Sequence, residues 1–255
     1  LVQGFDSFYN NPGLLAYYDD EISFFKLNVN LKGDALDVLN LYLGGDLSPD
    51  DPAALLTTLQ DKGLTNLLVG LDINGPLSIG VIGNNWGWYL KNSTNVYLDL
   101  PGITSTADIV LREDLVFSAG IAVPFKMRFG DSFFLELVPG VMSRTTLRAE
   151  LRIEEDLLGF MGYMSDFSSL LADFPLNISP MFALDAGFVI NVYDIVSLSG
   201  VVKDIYTPIL KYPVSSLSDA LGIFTSGNDT TGNLVYREIN FGLSSDIPLE
   251  YYPIL

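Results

Sequence analysis

The chain contains no histidine and no cysteine. That excludes a disulfide framework, a thiol nucleophile, a zinc cluster, an axial histidine for haem and a Ser-His-Asp triad. Charge is also scarce: 17% of the 255 residues are charged, against about 25% in ordinary soluble domains. Cations are scarcer still, 13 against 31 acidic residues, for a net charge of −18. Such a chain has little with which to release counterions from phosphates, so a nucleic-acid partner is excluded. Long hydrophobic runs are missing too. A membrane-spanning helix needs roughly 18 or more consecutive apolar residues. The stretches Leu115 to Phe125 and Ala186 to Val192 fall short of that or carry polar breaks.

What is present is hydrophobicity spread thinly along the chain. Apolar residues make up 49% and aromatics 12%, and the mean hydropathy is +0.33. The composition is too oily for an ordinary soluble domain, yet no segment suits a spanning helix. A transmembrane β-barrel reconciles the two, because it places its apolar residues at every second position. The first residue is Leu1, with no initiator methionine and no charged-then-apolar leader. The expectation is a mature or truncated piece of an exported protein.

Period-2 alternation is the strongest signal. Leu115, Phe117, Ala119, Ile121, Val123 and Phe125 form one oily face, opposite Val116, Ser118, Gly120, Ala122, Pro124 and Lys126. After a turn at Arg128-Phe129-Gly130-Asp131, Phe133, Leu135, Leu137, Pro139 and Val141 resume the oily face, which predicts a hairpin. Leu67 to Ile73 and Leu77 to Val81 read the same way, with Asn74-Gly75-Pro76 as the turn between them. So do Phe182 to Val192 and Ile239 to Leu243, while Ile22 to Leu31 is a strand with a slip near Phe24-Phe25, and Ser197 to Tyr206 is less regular. The opposite faces carry Asp72, Glu136, Asp185 and Glu238, charges too costly for a dry core without partners. A β-sandwich also alternates, but these polar faces are rich in Gly, Ala, Ser and Asn rather than Lys, Glu and Thr. The pattern favours the barrel: all-β, antiparallel and membrane-spanning.

Two insertions interrupt the strands. Residues 33–63 hold two predicted helices, Ala35 to Tyr42 and Pro52 to Asp61, with Ser48 or Asp50 as cap and Gly63 past the end. Residues 154–175 hold a third, Glu154 to Phe174, with Leu157, Phe160, Met161, Met164, Phe167, Leu170 and Leu171 at helical spacing. Asp46, Asp50, Asp51, Asp61, Glu154, Glu155 and Asp156 gather in these insertions, which reads as a solvated rim. With no internal repeat and no linker, residues 1–255 form one domain.

No catalytic constellation emerges. Asp19-Asp20 and Glu154-Glu155-Asp156 sit in loop or helix-start contexts where acidic residues are favoured anyway. The Asp46–Asp51 loop is dense in oxygen ligands but does not have EF-hand spacing. Gly80-Val81-Ile82-Gly83 lies within a strand, which is no place for a phosphate cradle. The reading is a non-enzyme that needs neither cofactor nor metal. Trp86, Trp88 and Tyr89 leave two options open. They form either an interfacial aromatic girdle, which the pattern favours, or an apolar ligand-binding pocket at the mouth of a lumen.

The opening Gly4-Phe5-Asp6-Ser7-Phe8-Tyr9-Asn10-Asn11-Pro12-Gly13-Leu14-Leu15-Ala16 resembles the "NPAGLA" segment of the fatty-acid-transporter (FadL-like) outer-membrane barrels. Asn11, Pro12, Leu15 and Ala16 match it, while Gly13 stands for its alanine and Leu14 for its glycine. The runs Gly70 to Gly80, Leu184 to Gly187 and Ser199 to Pro208 are similar to the spirochaetal branch of that group. The resemblance implies that residues 1–20 are a hatch plugging the barrel, with Asn11, Pro12 and Gly13 as its gate. It also implies an outer-membrane location in a Gram-negative-type cell envelope. Family members are longer, so the resemblance implies a fragment lacking the start of the hatch and the last strands. The implied function is passive uptake of hydrophobic small molecules such as long-chain fatty acids by a monomer whose other partner is outer-membrane lipid. The rival readings are a structural or secretion-associated barrel that transports nothing, and a soluble β-rich lipid-binding protein.

Overall fold

The computed structural model describes residues 10–18, 20–44, 57–58, 60–63, 66–102, 106–129, 133–156, 174, 176–193, 195–206, 212–214 and 238–245. After a short 3-10 helix, Pro12–Tyr17, come β1 (Glu21–Phe24), β2 (Asn28–Gly33) and α1 (Ala35–Leu43). The long strands follow: β3 (Leu67–Gly83), β4 (Trp86–Leu100), β5 (Thr106–Ala122) with its short continuation β6 (Phe125–Phe129), and β7 (Phe133–Asp156). β8 (Leu176–Val192), β9 (Val196–Tyr206), β10 (Tyr212–Val214) and β11 (Glu238–Ser245) follow among the described residues.

Among the described residues the eleven strands belong to one sheet with the order β1-β3-β4-β5-β7-β8-β9-β11, and every ladder is antiparallel. The three strands off that path extend others. β2 continues the line of β1 along β3, β6 continues β5 along β7, and β10 pairs with the Leu176 end of β8. Sequence order and spatial order therefore coincide, as in an up-and-down meander. Among the described residues no ladder joins β11 to β1, so the sheet has two edges.

The expected alternation is observed. Leu115, Phe117 and Ile121 project from one face and are exposed, and Val141, Leu147, Phe182, Leu184, Leu198, Phe241 and Leu243 share that exposure. The register places Ile121 opposite Trp86 and Val141, and Phe117 opposite Leu90, so apolar side chains neighbour one another across strands, with Thr145 and Asn92 as polar breaks. Val116, Ser118 and Ala122 point the other way and are buried. We call these the outer and inner faces. At the far end of the strands the outer face is covered. There Leu67, Leu100, Ala107, Ile109, Leu151 and Ile153 form a core with Val38 and Leu41 of α1 and with Phe174. Glu113 marks the boundary between the covered and bare zones, accepting hydrogen bonds from Asn92 and Thr94 on the same face.

On the inner face the corresponding zone is ionic. Arg148 grips Asp114 with two hydrogen bonds of 2.7 and 2.9 Å, Arg112 pairs with Glu150 at 2.6 Å, and Arg152 reaches Asp108 at 2.8 Å. Asp114 and Arg148, and Arg112 and Glu150, are directly opposed in the β5–β7 register, where opposite charges stabilise a ladder, while Arg152 sits opposite Val110 and reaches Asp108 on the diagonal.

Two expectations need correction. Asn74-Gly75-Pro76 does not reverse the chain: β3 runs straight through, with a register irregularity between Asn74 and Ser78. The facing chain explains this. It breaks between β1 and β2, where Phe25 adopts φ 51°, and Gly75 at φ +98° is the only residue type that fits against it, since a Cβ would meet the Lys26 carbonyl at 2.1 Å. Glu154, Glu155 and Asp156 are not the start of a helix. They pair with Asp108, Ala107 and Thr106 as the end of β7. The rest of that predicted helix, 157–173, lies outside the described residues. Of the insertion 33–63, α1 matches its prediction and Thr57, Thr58, Gln60 and Asp61 are helical, while 45–56 lie outside the described residues, and with them Asp46, Asp50 and Asp51.

Candidate functional site

The 3-10 helix lies against the inner face, in contact with β4, β5, β7 and β8. Local chemistry starts it. Asn11 is the N-cap in extended geometry, its Oδ1 accepts from the Gly13 N–H at 2.9 Å, and Pro12 occupies the first turn, where no N–H is needed. The same Asn11 side chain also anchors the helix to the sheet. Its Nδ2 donates to the carbonyls of Phe188 on β8 at 3.0 Å and Gly200 on β9 at 3.3 Å. One side chain thus caps the helix and ties it to two strands.

The sheet admits this close approach because its inner face is glycine there. Gly87 faces Gly120 across the β4–β5 ladder, and Gly140 faces Gly187 across β7–β8. A Cβ on Gly140 would lie 2.4 Å from the Pro12 carbonyl carbon, and one on Gly13 would lie 2.7 Å from the Val138 carbonyl oxygen. Gly87 and Gly120 make room for Leu15 instead, whose methyls stand 3.3 Å from where their side chains would begin. Leu15 is fully buried and centres a cluster with Ile82, Tyr89, Ala122, Val138, Met142 and Val189.

The other end of the helix is held by polar contacts. The Tyr17 hydroxyl donates to Glu136 Oε2 at 2.8 Å and accepts from Asn191 Nδ2 at 2.7 Å. Asn191 also reaches Glu136 at 3.2 Å and accepts from Ser197 at 2.6 Å, and Lys126 approaches Glu136 at 3.5 Å. The segment is therefore fastened at both ends, with an apolar contact between.

Beside the Asn11 anchor lies a second polar cluster. Asp185 is completely buried. Its Oδ1 accepts from the Asp204 N–H at 2.7 Å, while Arg144 stands 4.0 Å from its Oδ2 and donates to Asp204 at 2.6 Å. Asp204 is at φ 55° where the β8–β9 register slips, which turns its amide towards Asp185. Among the described residues no group of three or more Asp and Glu converges on a metal position.

The structure brings Asn11, Pro12 and Gly13 together on the glycine rows. It separates the aromatic trio. Trp86 and Trp88 stand on the outer face, where Trp88 stacks on Phe117 with centroids 6.4 Å apart. They wall a shallow apolar groove of about 530 Å³ with Ile121, Val141 and Leu184. Tyr89 points to the inner face, buried, and bonds Ser78 at 2.6 Å. The reason is strand geometry, because residues one apart leave opposite faces. Sequence reasoning placed Glu136, Asn191 and the glycines on the polar face without assigning them to a site, and did not single out Tyr17. The signal available for the glycines was their recurrence on the non-oily face of four strands.

Comparison of the chain with protein-family models, with curated proteins and with solved structures finds no match.

Proposed function

We propose that this sheet is the wall of a transmembrane β-barrel in an outer membrane, that the 3-10 helix is its plug, and that hydrophobic small molecules such as long-chain fatty acids pass through it without energy coupling. The seating of the Asn11–Tyr17 segment on the glycine rows carries the reading. An ordinary sheet has no use for two ranks of glycine on a face, since glycine weakens strands. A sheet that must receive a backbone segment does.

Three further features support it. The bare outer zone from Leu115 to Phe125 is about the length of the 9–11 residues with which a tilted strand crosses a bilayer. Its exposed Leu, Phe, Ile and Val side chains are costly in water and cost nothing in lipid. The two ends of the strands also differ. Few residues separate β3 from β4, β6 from β7 and β8 from β9, whereas at the other end longer stretches of sequence separate β2 from β3, β7 from β8 and β10 from β11, with β4 to β5 the short exception. Short periplasmic turns and long external loops are the rule in outer-membrane barrels, so the α1 end faces outward. The protein acts as a monomer, its ligands being lipid outside and an apolar molecule within.

The test uses the full-length protein. It should require detergent, change gel mobility on boiling, and restore uptake of labelled oleate to a host lacking its own transporter. A monodisperse protein in detergent-free buffer refutes the membrane reading. A heat-modifiable barrel that restores no uptake refutes transport and favours a structural barrel.

A further inference from the structure

Helix α1 is apolar on two sides. Val38 and Leu41 join the core over Leu67, Leu100 and Ile109, and Ala35 is buried on the same side. Leu36, Leu39 and Leu43 form a second stripe, three and four residues apart on a helix of about 3.6 residues per turn. They are 57%, 41% and 73% exposed. Asp37 and Asn40 take the narrow arc that remains. A surface helix in water has one apolar stripe and a polar opposite face, so the second stripe needs its own explanation. Its direction is fixed by the start of the helix. The Asp34 N–H donates to the Leu68 carbonyl at 2.7 Å, and the Asp34 Oδ2 accepts from the Leu68 N–H at 3.0 Å.

The stripe continues an exposed apolar band on the outer face. In β1, Ile22 and Phe24 stand opposite Val81 and Ile79, and in β2, Val29 and Leu31 stand opposite Ile73 and Leu71. All four edge-strand residues are exposed, and α1 follows directly after β2. The row Leu31–Leu71–Val96–Leu111 leads to the residues beneath α1. Leu111 lies four residues along β5 from Leu115, where the bare zone begins. That is about 13 Å of strand, or about 10 Å of depth at the tilt of barrel strands. A bilayer whose hydrocarbon covers the bare zone therefore has its headgroup margin at the level of α1.

We propose that α1 is an interfacial helix, whose Leu36–Leu39–Leu43 stripe dips into the headgroup and upper acyl layer around the wall while Asp37 and Asn40 face water. This rests on the membrane reading and adds a lipid contact outside the strands. Interfacial helices bind through buried apolar area and through attraction of basic residues to anionic lipid. α1 has acidic Asp37 and no basic residue, so only the first operates. The partner is hydrocarbon, and neither anionic lipid nor low salt strengthens the contact.

The chain has no cysteine, so single cysteines can carry an environment-sensitive fluorophore. Full-length protein is folded into phosphatidylcholine vesicles containing lipids spin-labelled either close to the headgroup or near the chain end. Fluorophores on Leu39→Cys and Leu43→Cys should be quenched about threefold or more over one on Asp37→Cys, and more by the shallow label than by the deep one. A fluorophore on Ile121→Cys, in the bare zone, reads the membrane reading separately and should respond to the deep label. Quenching at Ile121 with equally weak quenching at Leu39, Leu43 and Asp37 overturns the interfacial helix and leaves the membrane-spanning wall standing. Absence of quenching at Ile121 overturns the wall, and the helix contact with it. Shielding of Leu39 from aqueous iodide without quenching by lipid shows that protein covers the stripe, which also overturns the proposal. Added phosphatidylglycerol or salt should leave the pattern unchanged, and a gain with the anionic lipid refutes a contact made by hydrocarbon alone. All four positions are exposed, and heat-modifiable gel mobility checks that each variant has folded.

Discussion

Gly187 leaves the space that Asn11 fills: a methyl group on Gly187 would come within 2.2 Å of the Asn11 Oδ1. The contact joins residues far apart in sequence and sits beside the two carbonyls that receive the Asn11 amide. Gly187→Ala should therefore push the 3-10 helix off β8. Overpacking a tight contact costs about 1–3 kcal/mol, read as a lower urea midpoint together with protease cleavage within residues 10–18. In an Asn11→Ala background the clash partner is gone, so the added cost of Gly187→Ala should shrink. Strict additivity of the two changes would show that they do not share a site.

Ile121 tests what covers the outer face. It is 54% exposed on the sheet. In water, arginine at such a position changes stability by no more than about 0.5 kcal/mol. In lipid it costs about 2–4 kcal/mol near the midplane. The control is Asn240→Arg, on the inner side of β11 and also exposed, which should be mild in either case. Ser118 does not suit as the control, being wholly buried against the inner packing. Folding titrations into vesicles that place both variants within error of the parent would remove lipid from the outer face.

Tyr17→Phe removes one hydroxyl from the network with Glu136 and Asn191 while leaving the ring. The expected loss is about 1 kcal/mol, that of a hydrogen bond in a half-exposed setting. It should appear as faster hydrogen exchange in residues 12–17, with strand amides unchanged. With Glu136→Gln already in place the substitution should add little. A uniform loss of protection across β7 and β8 would mean that Tyr17 supports the sheet and not the plug's own attachment.

The faces of the sheet were legible because alternation is local: Leu115, Phe117 and Ile121 differ from Ser118 and Gly120 whatever their partners are. The end of β7 was misread because Glu154-Glu155-Asp156 looks like a helix start in isolation. What makes it a strand is pairing with residues 106–108, a contact that no local window contains. Asn74-Gly75-Pro76 carries every sign of a turn, and only the matching break opposite lets the strand continue. Asn11 was singled out by motif, but its role depends on carbonyls of Phe188 and Gly200. Backbone acceptors have no sequence signature. Trp86, Trp88 and Tyr89 are the instructive case, since the alternation that defines the fold already put Tyr89 on the other face.

The last prediction concerns release of the plug. Asn11→Ala deletes both hydrogen bonds to the β8 and β9 carbonyls and the cap on Gly13. At about 1 kcal/mol for each interaction, the loss exceeds the 1.4 kcal/mol that corresponds to a tenfold change in an equilibrium. The undocked population should therefore rise by tenfold or more. Pro12→Ala only frees φ at the first turn and should act in the same direction, more weakly. If the plug controls the path, vesicles containing Asn11→Ala should pass a fluorescent fatty acid several times faster than the parent, with the same amount of heat-modifiable protein. The double variant Asn11→Ala/Tyr17→Phe should exceed it, because both fastenings are then gone while Leu15 alone holds the centre. Protease should cut residues 10–18 in step with the gain in passage. Cleavage that increases without any gain in passage would separate the two, leaving the plug as a structural brace for the glycine-lined wall and the path elsewhere.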